Sequence, residues 1–410
     1  MLIDDALDEA MRDHWGRLLA LLVRQFRRVD LAEDCLADAF ARAAARWPTD
    51  GVPDNPPAWL LTTSRNRGLD LLKAEDVARR KVPLLVVEEL LREPGSEDDV
   101  EAAGDIGDDR LRLVFMTCHP ALAPEAQAAL ALRLVLGVGT PEIARLFLVS
   151  EPTMAARITR AKKKIVASAI PFSVPSADAL GDRIDSAVRA AYLGFTAGYA
   201  PGVGASLFRA DLAAEAIRLG RLLDELLPGR DVIKALLSLM VLQFARRDAR
   251  SLDGRLVLLA DQDRKRWHHD EIAAGLDLLM ALRPTEGYAE ELRLQALIAA
   301  LHDVAGAAED TDWRLIADAY ARLDEITGSP VVRLNRAVAV AESDGASAGI
   351  ALLDGLDEQL PGSHRLPAVR AELLRRSGDA AGARVAYASA ISLCGNQVER
   401  VHLIERLASL

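Results

Sequence analysis

An all-α protein is what this 410-residue sequence predicts, and three observations carry the prediction. Aromatic residues make up only 4% of the chain, Ala and Leu are abundant, and β-branched runs are few, a composition that favours helix over strand. Apolar residues recur at three- and four-residue spacings in one block after another. The blocks stop at Pro, Gly and Asp, where helices end. With 50% hydrophobic residues the chain can bury several cores, so two to four globular domains are expected and disorder is not.

Residues 1–82 read as helices joined by one Pro/Gly-rich loop. His14–Phe26 places Trp15, Leu18, Leu22 and Phe26 on one face. Leu31–Trp47 turns Leu36, Phe40 and Ala43 inward and Asp34, Asp38 and Arg42 outward at four-residue steps. The loop Pro48–Pro57 is expected to be non-helical because its prolines remove donors. Ala58–Ala74 then carries Trp59, Leu60, Leu69 and Leu72 on an apolar face and Thr62, Thr63, Arg65, Asn66 and Arg67 on a polar one. Arg and Asn beside Thr are side chains that stack on and read bases, and Trp59 reads as half-buried core or as a stacking platform. A basic cluster, Arg79-Arg80-Lys81, follows.

Residues 83–109 hold ten Asp/Glu against one basic residue, Arg92, with three glycines, and read as a flexible acidic linker with one short helix at Leu84–Leu91. Residues 110–172 are the reverse, with nine Lys/Arg against three Asp/Glu inside a chain of net charge −11. A basic island in an acidic protein is a footprint for a polyanion. Within it Leu111–Thr117 and Pro124–Leu136 read as helices. Thr140 caps a short helix from Pro141, Leu148-Val149-Ser150 breaks it, and Ser150 caps a longer one. On that second helix Met154, Ile158, Ala161 and Ile165 make an apolar back, and Thr153, Arg157, Arg160 and Lys164 a polar, basic front. Short helix, tight turn and longer helix with a cationic front is the helix-turn-helix arrangement for the major groove. A solvated helical hairpin is the plain alternative.

From Ala177 to Leu410 the chain is helical and acidic, with 27 Lys/Arg against 34 Asp/Glu. Gly378, Ala383, Tyr387 and Ala390 lie at the spacings of the second helix of a tetratricopeptide unit. Ala348, Leu352 and Gly355 repeat the last three at an offset of 35 residues (383 − 348). Such units stack into a solenoid with a concave surface for a protein or peptide partner. Ordinary helical packing is the competing reading.

No nucleotide loop of the GxxxxGK[ST] or GxGxxG kind and no GxSxG elbow occurs, and nothing argues for catalysis or a cofactor. Cys118-His119 and Trp267-His268-His269-Asp270 are the clusters that look like metal ligands, and neither has the paired spacing of a zinc site. Cys35, Cys118 and Cys394 are odd in number and far apart, which fits a reducing cytoplasm. The acidic start MLIDDALDEA is unlike a secretory signal, and no apolar run approaches a bilayer span, so no membrane association is expected.

With these pieces placed, the chain resembles a sigma factor of the sigma-70 superfamily, extracytoplasmic-function group, in the subgroup with a long tetratricopeptide-like C-terminal extension. Ala32-Glu33-Asp34 through Asp38-Ala39-Phe40 resembles the part of region 2 that grips core RNA polymerase, which implies Asp34, Asp38, Phe40 and Arg42 as its contacts. Pro57–Leu60 through Arg65-Asn66 and Leu69-Asp70 resembles the helix that opens the downstream (−10) promoter element. The resemblance implies Asn55, Trp59, Thr62, Arg65, Asn66, Arg67 and Lys73 there. Thr140–Lys164 resembles the region 4 helix-turn-helix for the upstream (−35) element, implying Ser150, Glu151, Thr153, Arg157, Arg160, Lys162, Lys163 and Lys164. DDRLRLVFMTCHPALAPEAQ (108–127), LADQDRKRW (259–267) and DTDWRLIADAY (310–320) resemble the subgroup. Three positions depart from the wider group: Leu148 stands where many relatives have Gly, Ala155 where a Lys or Arg is common, and Ala37 where Gln is frequent.

The implied organisation is region 2 at 1–82, the linker at 83–109, region 4 at 110–172 and a regulatory extension at 177–410. The partners would be core polymerase and promoter DNA, with no enzyme activity. A helix-turn-helix regulator with a repeat-type sensor that never touches polymerase remains the alternative. An enzyme on a helical scaffold is a more distant one.

Overall fold

The computed structural model describes residues 3–79, 106–147, 149–199, 210–252 and 255–410. The acidic stretch at 83–105 with its expected helix, Arg80 and Lys81, Leu148 and residues 207–209 lie outside them. The described chain is helical apart from a two-stranded antiparallel hairpin, β1 (Ser251–Leu252) and β2 (Arg255–Leu256), and short turns. It divides into two compact bodies, one of Met1–Arg145 with Val149–Leu193 and one comprising chiefly Gly194–Leu410.

The first body opens with α1 (Ile3–Phe26), α2 (Val29–Asp50) and α3 (Pro56–Arg79). Trp15, Leu18, Leu22, Leu36, Phe40, Trp47 and Leu60 fill its core, as the helical spacing predicts. The proline loop is shorter than expected. Helix α2 runs past Pro48 to Asp50, and α3 already contains Pro56 and Pro57. Proline's fixed φ is helical, so near the end of α2 it forfeits only the bond its own missing N–H would make. The first turn of α3 leaves its N–H groups unbonded anyway. Gly51, at φ 86°, stops α2 with its N–H on the Trp47 carbonyl.

Helix α4 (Ile106–Thr117) starts inside the segment read as linker. Helix α5 (Pro124–Leu130) is shorter than the expected Pro124–Leu136 and passes into a π turn over Ala131–Val135. Helix α6 (Thr140–Leu146) starts at Thr140 itself, with the Gly139 carbonyl accepting from the Ile143 N–H, so Thr140 is not the cap. Helix α7 (Glu151–Ala167) starts where its serine cap predicts, and α8 (Ala177–Tyr199) follows. The two stretches expected as separate modules pack together here. A Cβ on Gly16 of α1 would lie 2.1 Å from the Val135 carbonyl oxygen, and one on Gly137 would lie 2.7 Å from the Trp15 ring. Arg24 of α1 also pairs with buried Asp109 of α4 at 2.9 Å.

In the second body, α9 (Ala210–Leu226), α10 (Asp231–Phe244), α11 (His269–Met280) and α12 (Gly287–Asp303) bury an apolar centre, to which α10 gives the unbroken buried run Ala235–Leu242. The segment LADQDRKRW forms two 3-10 turns tied down by its own side chains. Trp267 Nε1 donates to Gln262, the Arg264 guanidinium lies 4.8 Å from the Trp267 ring, and Arg264 Nε donates to the Ala305 carbonyl.

Beyond it run α13 (Trp313–Thr327), α14 (Pro330–Ser343), the short α15 (Ala346–Ala351) and α16 (Leu356–Gln359), then α17 (Arg365–Ser377), α18 (Ala380–Leu393) and α19 (Gln397–Ala408). Three core clusters succeed one another along them, around Ile316 and Leu323, around Leu334 and Leu373, and around Tyr387 and Leu403. At the expected offset of 35 residues the buried positions do not fall in register. Ala383, Tyr387 and Ala390 are buried, but their buried counterparts are Gly349, Leu353 and Leu356, 34 residues earlier (383 − 349), whereas Gly355 is exposed and Ala348 only half-buried. The close approach at Gly349 sets that frame, since a Cβ there would sit 2.5 Å from the Ala337 carbonyl oxygen.

Candidate nucleic-acid interface

Helix α7 is built as its sequence dictates. The Thr153 N–H donates to Ser150 Oγ at 3.3 Å, and the two hydroxyls lie 2.7 Å apart, which closes the first turn. Met154, Ile158, Ala161 and Ile165 are buried, so the opposite face is fixed outward. Ser150, Glu151, Thr153, Arg160, Lys163 and Lys164 are exposed on it, Arg157 is half-buried, and Ala155 adds no charge. Arg160 Nε donates to the Ala156 carbonyl of its own helix. Neither Arg160 nor Lys163 nor Lys164 has a carboxylate partner among the described residues. Lys162 differs, turning to Glu33 of α2.

On α3, Thr62, Asn66 and Lys73 are exposed, at steps that keep them on one face with Asp70. Arg65 donates to Gln25 at 3.1 Å, and Arg67 approaches Asp38 at 3.5 Å. Asn55 caps the helix by accepting from the Ala58 N–H, so its side chain has a structural role already. Trp59 is half-buried, its ring 5.7 Å from Trp47 at 64°, which leaves one part of the indole available.

The expected polymerase face on α2 is split by the structure. Asp34 and Arg42 are exposed, and Asp38 bridges Arg42 at 3.0 Å and Arg67, joining this face to α3. Phe40 is buried against Trp15, with ring centroids 5.7 Å apart, so it shapes the helix from behind and presents almost no surface of its own. Partial burial pushes the Asp34 carboxyl above its ordinary range, and nearby Lys162 partly offsets this.

The structure adds a node that spacing did not single out. Glu33 is 4% exposed, and its carboxylate accepts from Arg133 Nε at 2.7 Å while also pairing with Lys162. Arg133 in turn lies 5.6 Å from the Trp15 ring and donates to the Val138 carbonyl. A signal existed: Val29, Glu33, Leu36, Phe40, Ala43 and Trp47 form one stripe of α2, and a carboxylate inside an apolar stripe demands a buried cation.

The two sequence clusters with metal-like residues have other uses. Cys118 is buried with its thiol pushed up to about 12 by burial, and His119 Nδ1 accepts from the Ala121 N–H. His268 meets Asp248 at 2.8 Å, whereas His269 meets the Arg264 carbonyl, so the adjacent imidazoles diverge.

Comparison with known proteins agrees with this geometry. Sigma-70 region 2 matches residues 10–77 and sigma-70 region 4 matches residues 112–165, which run from within α1 to within α3 and from within α4 to within α7. A family of unknown function, DUF6596, matches residues 183–282. The chain is 40% identical over 417 residues to an uncharacterized protein of Rhizobium meliloti (strain 1021), covering 100% of this chain and 96% of that one. No solved structure matches. The chain thus carries sigma-70 region 2 and region 4 domains, in that order, on the helices with the exposed polar faces.

Proposed function

We propose that this protein is an alternative sigma factor of the extracytoplasmic-function group, which binds core RNA polymerase through α2, engages the −10 element through α3 and reads the −35 element through α7. The observation that carries the reading is α7 itself. A capped helix with a buried apolar back holds Arg160, Lys163 and Lys164 outward without carboxylate partners among the described residues, inside the stretch that matches region 4. Arg157 and Arg160 are the base-reading candidates, and Lys163 and Lys164 suit phosphates. Lys162, occupied by Glu33, serves DNA only when that pair opens.

The second body acts as a fused regulatory module of tetratricopeptide type, taking a protein or peptide partner on its repeat surface. Its support is the 34-residue recurrence of buried positions and the three successive core clusters. The test is run-off transcription with purified core polymerase. The intact chain should give promoter-specific transcripts, and reversing charge at Asp34 and Asp38 together should abolish both transcription and co-purification with core enzyme. Specific duplex binding without transcripts would instead identify a helix-turn-helix regulator that never engages polymerase.

A further inference from the structure

Sequence spacing offers no metal site at the C-terminal end, yet the fold assembles one. His364 precedes α17, Cys394 ends α18 and Glu399 lies in the first turn of α19. One donor atom from each lies within 4.8 Å of the other two. His364 Nε2 and Glu399 Oε2 are 2.8 Å apart, and the Cys394 thiol donates to the Asn396 carbonyl at 3.4 Å. Cys394 is buried, while His364 and Glu399 are partly open and help line a cavity of about 310 Å³ together with Asn335 and His402. We propose that His364, Cys394 and Glu399 form a site for a thiophilic divalent cation, zinc by ligand chemistry, with a fourth position open to water in the cavity.

The ligand set decides the metal. Thiolate, imidazole and carboxylate together suit zinc, while magnesium and calcium would be held by oxygens alone. Bonds of about 2.0–2.3 Å place neighbouring tetrahedral ligands roughly 3.5 Å apart. The histidine–carboxylate pair must therefore open slightly and the thiol move inward, shifts that side chains at two helix starts and one helix end can make. Binding requires the thiol to lose its proton, so uptake releases protons and strengthens with rising pH. The outcome is a clamp joining α17, α18 and α19, three elements otherwise held by the Tyr387–Leu403 cluster.

The experiment uses the full chain, free of any affinity tag, titrated with zinc against a chromophoric chelator and scanned for thermal unfolding. One equivalent of zinc should bind and raise the unfolding midpoint of the second body. Cobalt(II) in its place should give a thiolate-to-metal charge-transfer band that Cys394→Ser abolishes. His364→Ala, at a partly exposed position, provides a second variant and should lose zinc while keeping the helical circular-dichroism signal of the metal-free chain. Failure of the intact chain to bind zinc more tightly than the His364→Ala, Cys394→Ser double variant overturns the site, as does a cobalt spectrum that survives Cys394→Ser. Neither result depends on polymerase or promoter binding, so it leaves the sigma-factor reading untouched.

Discussion

In the second body Arg370 holds Asp357 at 2.9 and 2.6 Å, Arg336 holds Asp324 at 3.2 Å, and Arg375 and Arg406 converge on Glu372 at 2.7 Å each. On α7 of the first body, Arg160, Lys163 and Lys164 have no carboxylate within reach among the described residues. The arginines named in the second body are each held by a carboxylate, and the three cations named on α7 are not. Burial alone would raise the Glu372 carboxyl, yet hydrogen bonds from Arg375, Arg406 and Tyr387 hold it down at about 2. The comparison teaches that charge count is a weak guide to nucleic-acid binding. Pairing within the fold decides whether a basic residue is available.

The comparison can be tested by breaking one pair in each body. Asp303 and Arg246 are buried together in the second body at 3.4 Å, with Asp303 6% exposed. Above pH 7, where the carboxyl is ionised, Asp303→Ala takes this carboxylate from a buried guanidinium and should destabilise that body by about 3–5 kcal/mol, seen as a lowered unfolding midpoint. Glu33→Ala should cost less in the first body, about 2–3 kcal/mol, because Arg133 and Lys162 keep some access to water.

The Asp303 pair also gives a pH signature. Burial outweighs the nearby Arg246 and Arg264 and pushes the Asp303 carboxyl up to about 7, against 3.8 unfolded. An acid whose pKa rises on folding favours the fold fully below its unfolded value and loses that advantage as pH climbs to its folded value. Stability relative to an Asp303→Asn variant should therefore fall between pH 4 and pH 7 and level off above. A difference between the two midpoints that stays flat across this window would contradict the shift.

Smaller effects separate the two kinds of cation. Arg157→Ala should weaken promoter-specific binding by about 1–3 kcal/mol and relax preference at one upstream position, measured by transcription from promoter variants. Lys163→Ala should weaken all promoters alike and reduce the slope of log affinity against log salt by about one. Arg370→Ala, on the internally paired surface, should leave that slope unchanged and alter stability by less than about 1 kcal/mol.

Much of the first body is legible in sequence because its helices are plainly amphipathic. The buried residues of α7 are the four that spacing gives, and Ser150 caps it as read. Phe40 packs inward on Trp15 as its spacing predicts, and only the family resemblance offered it as an outward contact. The reading slipped at Pro48, where the continuation of α2 depends on what one lost bond costs. In the repeat, the stretch Ala346–Gly355 is so dense in small residues that offsets of 34 and 35 fit equally well. Only the contact of Gly349 with the Ala337 carbonyl chooses between them. His364 and Cys394 lie 30 residues apart (394 − 364), a separation that no local period connects.

Glu33 makes α2 and α7 thermodynamic partners. Any ligand that draws Lys162 away must compete with a carboxylate only 4% exposed, and the loss leaves that carboxylate to Arg133 alone. Coupling of this kind is reciprocal: whatever α2 binding contributes to freeing Lys162, an anion on Lys162 contributes equally to α2 binding. A change of one charge on either helix is thus felt on the other through a single shared side chain, and its size is set by how dry that carboxylate is kept.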